Sequence, residues 1–105
     1  MATLSILEAF ELARSGVSGY PAYGQIIQTG TVQAKQKVPI SGVSTQSAPF
    51  SANSHFVRIE TDTTCVLEFG ASPTADTTSV IRMVAGQTEY FGVLPGQMVA
   101  VLASA

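Results

Sequence analysis

The sequence predicts an all-β fold, a jelly-roll-like β-sandwich or small barrel that carries a short N-terminal helix or arm. Three observations point there. From Gln25 onward, short runs of alternating apolar and polar residues recur. Gly and Pro separate those runs at spacings of about ten residues. Only 11% of the 105 residues are charged, and Thr, Ser, Gln and Gly fill the deficit. Threonine suits the half-exposed, pleated face of a sheet.

Residues 1–16 differ from the rest. "TLSILEAFELARSG" reads as an amphipathic helix, with Ser5 as N-cap and Glu8 three residues on, the capping-box pattern. Arg14 sits late and Gly16 suits a left-handed stop. A helix of about ten residues is marginal alone in water. Leu4, Ile6, Leu7, Phe10 and Leu12 therefore require a surface to dock on. "SGVSGYPAYGQ" follows, broken by Gly16, Gly19, Pro21 and Gly24. It reads as a linker whose Tyr20 and Tyr23 can pin it down. The expected organisation is an assembly arm over 1–24 and a β-domain over 25–105. The expected assembly interface is Leu4, Ile6, Leu7, Phe10, Leu12, Tyr20 and Tyr23.

The β-domain begins with "IIQTGTVQ", which has a possible turn at Thr29-Gly30. "QKVPI" places Pro39 on an edge strand or bulge. "SGVSTQSAPFSANS" reads as loop with one weak strand. "HFVRIETD" turns Val57, Ile59 and Thr61 one way and Phe56, Arg58 and Glu60 the other. "TCVLEFG" turns Cys65, Leu67 and Phe69 inward. The "TDTT" between these two runs reads as a hairpin connection, with Asp62 accepting bonds from the turn. "GASPTADT" is a loop, and Gly70 is expected to hold a backbone angle that other residues resist. "TSVIRMV", "TEYFGV" and "QMVAVLAS" supply three more strands, joined through "AGQ" and "LPG" turns.

A weakly charged surface repels neighbours poorly and suits a protein built to associate. A net charge of −2 does not suit nucleic acid. Among Arg14, Lys35, Lys37, Arg58 and Arg82, only Lys35 and Lys37 cluster, and that pair reads as a solvated edge strand. No apolar run reaches the roughly 18 to 20 residues of a membrane span. The N-terminus carries no secretory pattern, and one cysteine supplies no disulfide framework. Synthesis in a cytoplasm is expected.

No catalytic constellation emerges. His55 and Cys65 are single copies, and a thiol that shares a face with Leu67 and Phe69 reads as core. Glu60 and Glu68 could oppose one another on paired strands, but solvated cross-strand charge beside Arg58 explains them more simply. The carboxylates are too scattered for a metal site. Tyr20, Tyr23 and Tyr90 alone could offer glycan-stacking faces. The expectation is a non-enzyme without cofactor.

The blocks "FVRIETDTTCVLEFGASPTADTTS" and "AGQTEYFGVLPGQMVAVL", within Phe56 to Leu102, resemble small virion structural proteins of tailed bacteriophages. The Gly70 to Ala75 step is the most distinctive part. The resemblance implies a head decoration or cement protein on the capsid exterior, which bridges neighbouring copies of the major capsid protein. It implies no catalytic residues. A homo-oligomer is expected, with a trimer matching a local threefold and a dimer on a twofold as the alternative. A tail or baseplate component and an exposed receptor- or glycan-binding module are the competing roles.

Overall fold

The structure is a computed structural model. It describes residues 2–10, 12–15, 22–27 and 32–104, with side chains over 2–10 and 33–104. The described chain is all-β. Ten strands follow in order: β1 (Thr3–Ala9), β2 (Leu12–Ser15), β3 (Ala22–Ile27), β4 (Val32–Pro39), β5 (Thr45–Gln46), β6 (Phe56–Thr61), β7 (Cys65–Gly70), β8 (Ile81–Met83), β9 (Thr88–Gly92) and β10 (Met98–Ala103). Two four-stranded antiparallel sheets form the body. The first has the order β4-β1-β6-β9 and the second β5-β10-β7-β8. Among the described residues, strands β2 and β3 pair only with each other.

The inner faces of the two sheets share one core. The first contributes Leu4, Ile6, Val38, Val57 and Ile59, and the second Cys65, Leu67, Met83, Val99 and Val101. The period-2 pattern that the sequence shows in β6 and β7 is the cause. Val57, Ile59 and Thr61 are buried, as are Cys65 and Leu67, and Phe69 packs against the same cluster.

The expected N-terminal helix is absent. Residues 3–9 form an inner strand, paired with β4 through Leu4↔Val38 and with β6 through Ile6↔Ile59. Leu4, Ile6 and Glu8 alternate inward, and all three are buried. A short helix would have satisfied these backbone groups only within itself, at marginal stability. Two flanking strands satisfy them on both sides and bury the apolar row as well. A boundary at residue 24 therefore cuts through the fold, because β1 belongs to the body.

Strands β1 to β4 pair in nested, hairpin-like order, β1 with β4 and β2 with β3. The proximal half pairs Thr3 with Pro39 and Ala9 with Val32. The distal half pairs Leu12 with Ile27 and Ser15 with Ala22. Only the proximal half joins the first sheet.

The "TDTT" stretch is a crossover between sheets, since β6 lies in the first and β7 in the second. The Asp62 carboxylate accepts bonds from the Thr3 backbone N–H (2.7 Å) and from the Thr63 hydroxyl (3.1 Å), clasping the start of β1. The Thr3 bond in particular holds the Asp62 carboxyl below its ordinary value of 3.8. Asp76 is lowered likewise, first by the Thr78 hydroxyl and then by its N–H. Lowered carboxyl values mean that the stabilisation is complete above the ordinary value and is lost as pH falls through the folded one. Thermal melts between about pH 5 and pH 2 should accordingly lose less stability in Asp62→Asn than in the parent. An unchanged acid slope would contradict the clasp.

Gly70 is not the strained glycine. Its φ is ordinary, and an added Cβ would meet only Pro73 at 3.9 Å. The left-handed positions are Gly86 (φ 85°) and Gly96 (φ 84°). They occupy equivalent places in two matching turns, Val84–Gln87 and Leu94–Gln97. In each turn the Gln side chain accepts the first residue's N–H at 2.9 Å. The Gln N–H donates back to the same residue's carbonyl, at 3.0 and 3.1 Å. The Gly70–Ser79 loop instead folds over the outer face of the second sheet. There Ala75 packs with Val66 and Ala100, Gln46 Nε2 donates to the Pro73 carbonyl (2.7 Å), and the Ser79 hydroxyl donates to Glu68 (2.9 Å).

Candidate functional site

Among the described residues, the chemically reactive side chains do not converge. Cys65 is free and fully buried, and its thiol lies 3.6 Å from the Thr61 hydroxyl. Burial pushes that thiol up from its ordinary value, which favours the inert protonated form. His55 is exposed and its ring lies against Phe10, with centroids 5.0 Å apart. Glu60 and Glu68 fall on different sheets and do not face each other as a pair. Among the described residues, no three His, Cys, Asp or Glu side chains are placed to hold a metal ion. Nor is any described helix long and apolar enough to cross a membrane.

The residues expected to form an assembly interface separate into three groups. Leu4 and Ile6 are core, at 0% and 2% exposure. Leu7 points to the opposite face of β1 and packs half-buried with Ala9, Phe56 and Tyr90. Phe10 is 42% exposed beside His55. Leu12 and Tyr23 lie on β2 and β3, whose side chains fall outside the described residues, as does Tyr20 altogether. The interface reading therefore fails for Leu4 and Ile6, whose apolar surface the chain already covers. Strands β2 and β3, rather than a helix, are the described elements that pair outside the two sheets of the body.

A loop held by buried polar groups supports the base of that hairpin. Glu8 is 2% exposed. It accepts bonds from the Ser51 N–H (2.8 Å), the Ser54 hydroxyl (2.9 Å) and Gln36 Nε2 (3.0 Å). Gln36 also accepts the Ala48 N–H at 2.9 Å. The loop that carries Phe50 into the core is thereby tied to both β1 and β4.

The outer face of the first sheet collects residues that lie far apart in sequence. Register sets Lys35 opposite Leu7, Leu7 opposite Arg58, and Arg58 opposite Tyr90. The adjoining row is Lys37, Ser5, Glu60 and Thr88. Three of the chain's five basic residues thus share one face with Glu60, and Asp62 lines an adjoining concavity beside Lys37. Arg58 lies 3.9 Å from Glu60, with the Arg58 side chain half-buried and that of Glu60 exposed. A concavity of about 430 Å³ opens on this face, lined by Ser5, Leu7, Lys35, Lys37 and Arg58. Sequence reading missed it because only strand register brings Lys35 and Lys37 into line with Arg58.

Comparison of the chain with protein-family models, curated proteins and solved structures finds no match.

Proposed function

We propose that this chain is a structural component of a tailed-phage virion, a decoration or cement protein that bridges neighbouring major capsid subunits on the head exterior. The carrying observation is the distal hairpin. Strands β2 and β3 extend the β1–β4 hairpin and pair with no other described strand. An isolated two-stranded ribbon is marginal in water and calls for a covering surface. A neighbouring subunit supplies one, and many modest grips on a repeating lattice combine into firm attachment. The resemblance of the second half to small phage virion proteins supports the same reading.

The body is read as jelly-roll-like. The chain passes back and forth between the two sheets along β4, β5, β6 and β7, and again along β8, β9 and β10, which is the winding of such a fold. The inner position between β4 and β6 is closed by the N-terminal strand β1. A trimer on a local threefold is the favoured assembly.

Quantifying this protein per purified particle tests the role. A copy number comparable to that of the major capsid protein is expected. A handful of copies per particle would place it in the tail and overturn the cement reading.

A further inference from the structure

We infer that the outer face of the first sheet is a docking surface for an acidic, partly apolar peptide segment of a protein partner. This inference is independent of which assembly the chain belongs to. Lys35, Lys37 and Arg58 surround Leu7 on this face. Along β4 the two lysines stand about 7 Å apart, and Arg58 lies about 10 Å away across two strand spacings. A half-buried apolar centre ringed by charge is the anatomy of a protein interface. A nucleic acid or sulfated polysaccharide would need more cations and no apolar floor.

Edge protection does not account for the arrangement. Lysines and a proline blunt exposed edges, and Lys35, Lys37 and Pro39 do sit on the edge strand β4. Arg58, however, lies on the inner strand β6. No carboxylate of the described residues lies within ion-pair distance of Lys35 or Lys37.

The carboxylates come from outside the chain. Its own described acids are already engaged: Asp62 by Thr3 and Thr63, Asp76 by Thr78, Glu68 by Ser79, Glu89 by Gln87, and Glu8 within its buried network. Glu60 accepts from Thr88 and neighbours Arg58. A second copy carries these carboxylates on separate strands and turns of two sheets, whereas one acidic segment brings several in a row. Tyr90 beside Arg58 and Phe56 behind Leu7 extend the apolar centre that such a segment's Leu or Phe would cover.

The test is fluorescence anisotropy with the full chain and a fluorescein-labelled peptide, Glu-Leu-Asp-Phe-Glu-Leu-Asp. Controls are its Gln/Asn counterpart and heparin. The acidic peptide is expected to bind saturably at low salt and the neutral one not to bind. The triple variant Lys35→Gln, Lys37→Gln, Arg58→Gln should weaken binding about tenfold, as three exposed ionic contacts imply. Its melting temperature should stay near the parent's, since these side chains have at most one weak internal contact. Leu7→Ser should also weaken peptide binding, which a purely electrostatic surface would not require. Failure of the acidic peptide to bind, or equal binding by the triple variant, would overturn the inference. So would tighter binding of heparin than of the peptide, which would mark the face as a polyanion site.

Discussion

Leu4→Ala is expected to cost the isolated chain about 2 to 5 kcal/mol of stability, the range for truncating a buried leucine. Leu4 is fully buried and sits on an inner strand, between Val38 on β4 and Thr61 on β6. It belongs to the cluster in which both sheets meet. A loss of that size is a large share of the roughly 5 to 15 kcal/mol that holds a typical domain together. Urea unfolding should show a lower midpoint with an unchanged slope, the signature of altered stability rather than altered compactness. Were residues 1–16 an arm docked on another chain, Leu4→Ala would loosen the oligomer and leave the monomer's midpoint in place.

Glu8→Ala is expected to be comparably severe, at about 3 kcal/mol, because it strands buried donors rather than opening an apolar hole. The Ser51 N–H and the Ser54 hydroxyl would lose their shared acceptor, and Gln36 Nε2 would lose one of its two. Ser54 is itself fully buried, so water does not readily replace the lost partner. Glu8→Gln keeps an oxygen for both serines and turns an amide toward Gln36, so it should cost less than the alanine. Amide exchange at Ser51 separates this account from a general loss of packing. Its protection should collapse in Glu8→Ala before that of Leu67 or Val101. Uniform loss across the body would contradict the tie between Glu8 and the loop.

The same residue shows why the N-terminus misleads when read alone. Ser5 and Glu8 have capping-box spacing, and Leu4, Leu7 and Phe10 fit one side of a helix. The alternative row, Leu4, Ile6 and Glu8, has strand period but ends on a charge, which argues against burial until its three donors are known. Those donors come from Gln36, Ser51 and Ser54, 28 to 46 residues away. Local pattern cannot carry such information, and long-range pairing decides between two short, comparable propensities.

Strands β6, β7 and β10 were legible for the opposite reason. Their alternation is clean, and no competing helical face exists. What stayed hidden was which sheet each strand joins. "TDTT" has hairpin chemistry, and its Asp62 does bind the backbone, but chiefly that of Thr3. The left-handed glycines were readable in principle. "VAGQ" and "LPGQ" repeat ten residues apart with Gly in the same place, at Gly86 and Gly96. The distinctive Gly70 step drew the expectation away from them. The cationic face was the least legible feature, because its members come from β1, β4, β6 and β9 and become neighbours only through register.

On the proposed reading one hairpin does two jobs, its proximal half closing the core and its distal half gripping a neighbour. Replacing residues 11–30 with Asn-Gly tests it most directly, since that dipeptide favours the tight turn needed to rejoin the strands just beyond Ala9 and Val32. The measurement is occupancy of the shortened chain on capsids that lack the protein, made alongside its melting temperature. The account predicts a body that melts near the parent's temperature and no longer decorates the capsids. A shortened chain that folds and decorates them as fully as the parent would contradict it.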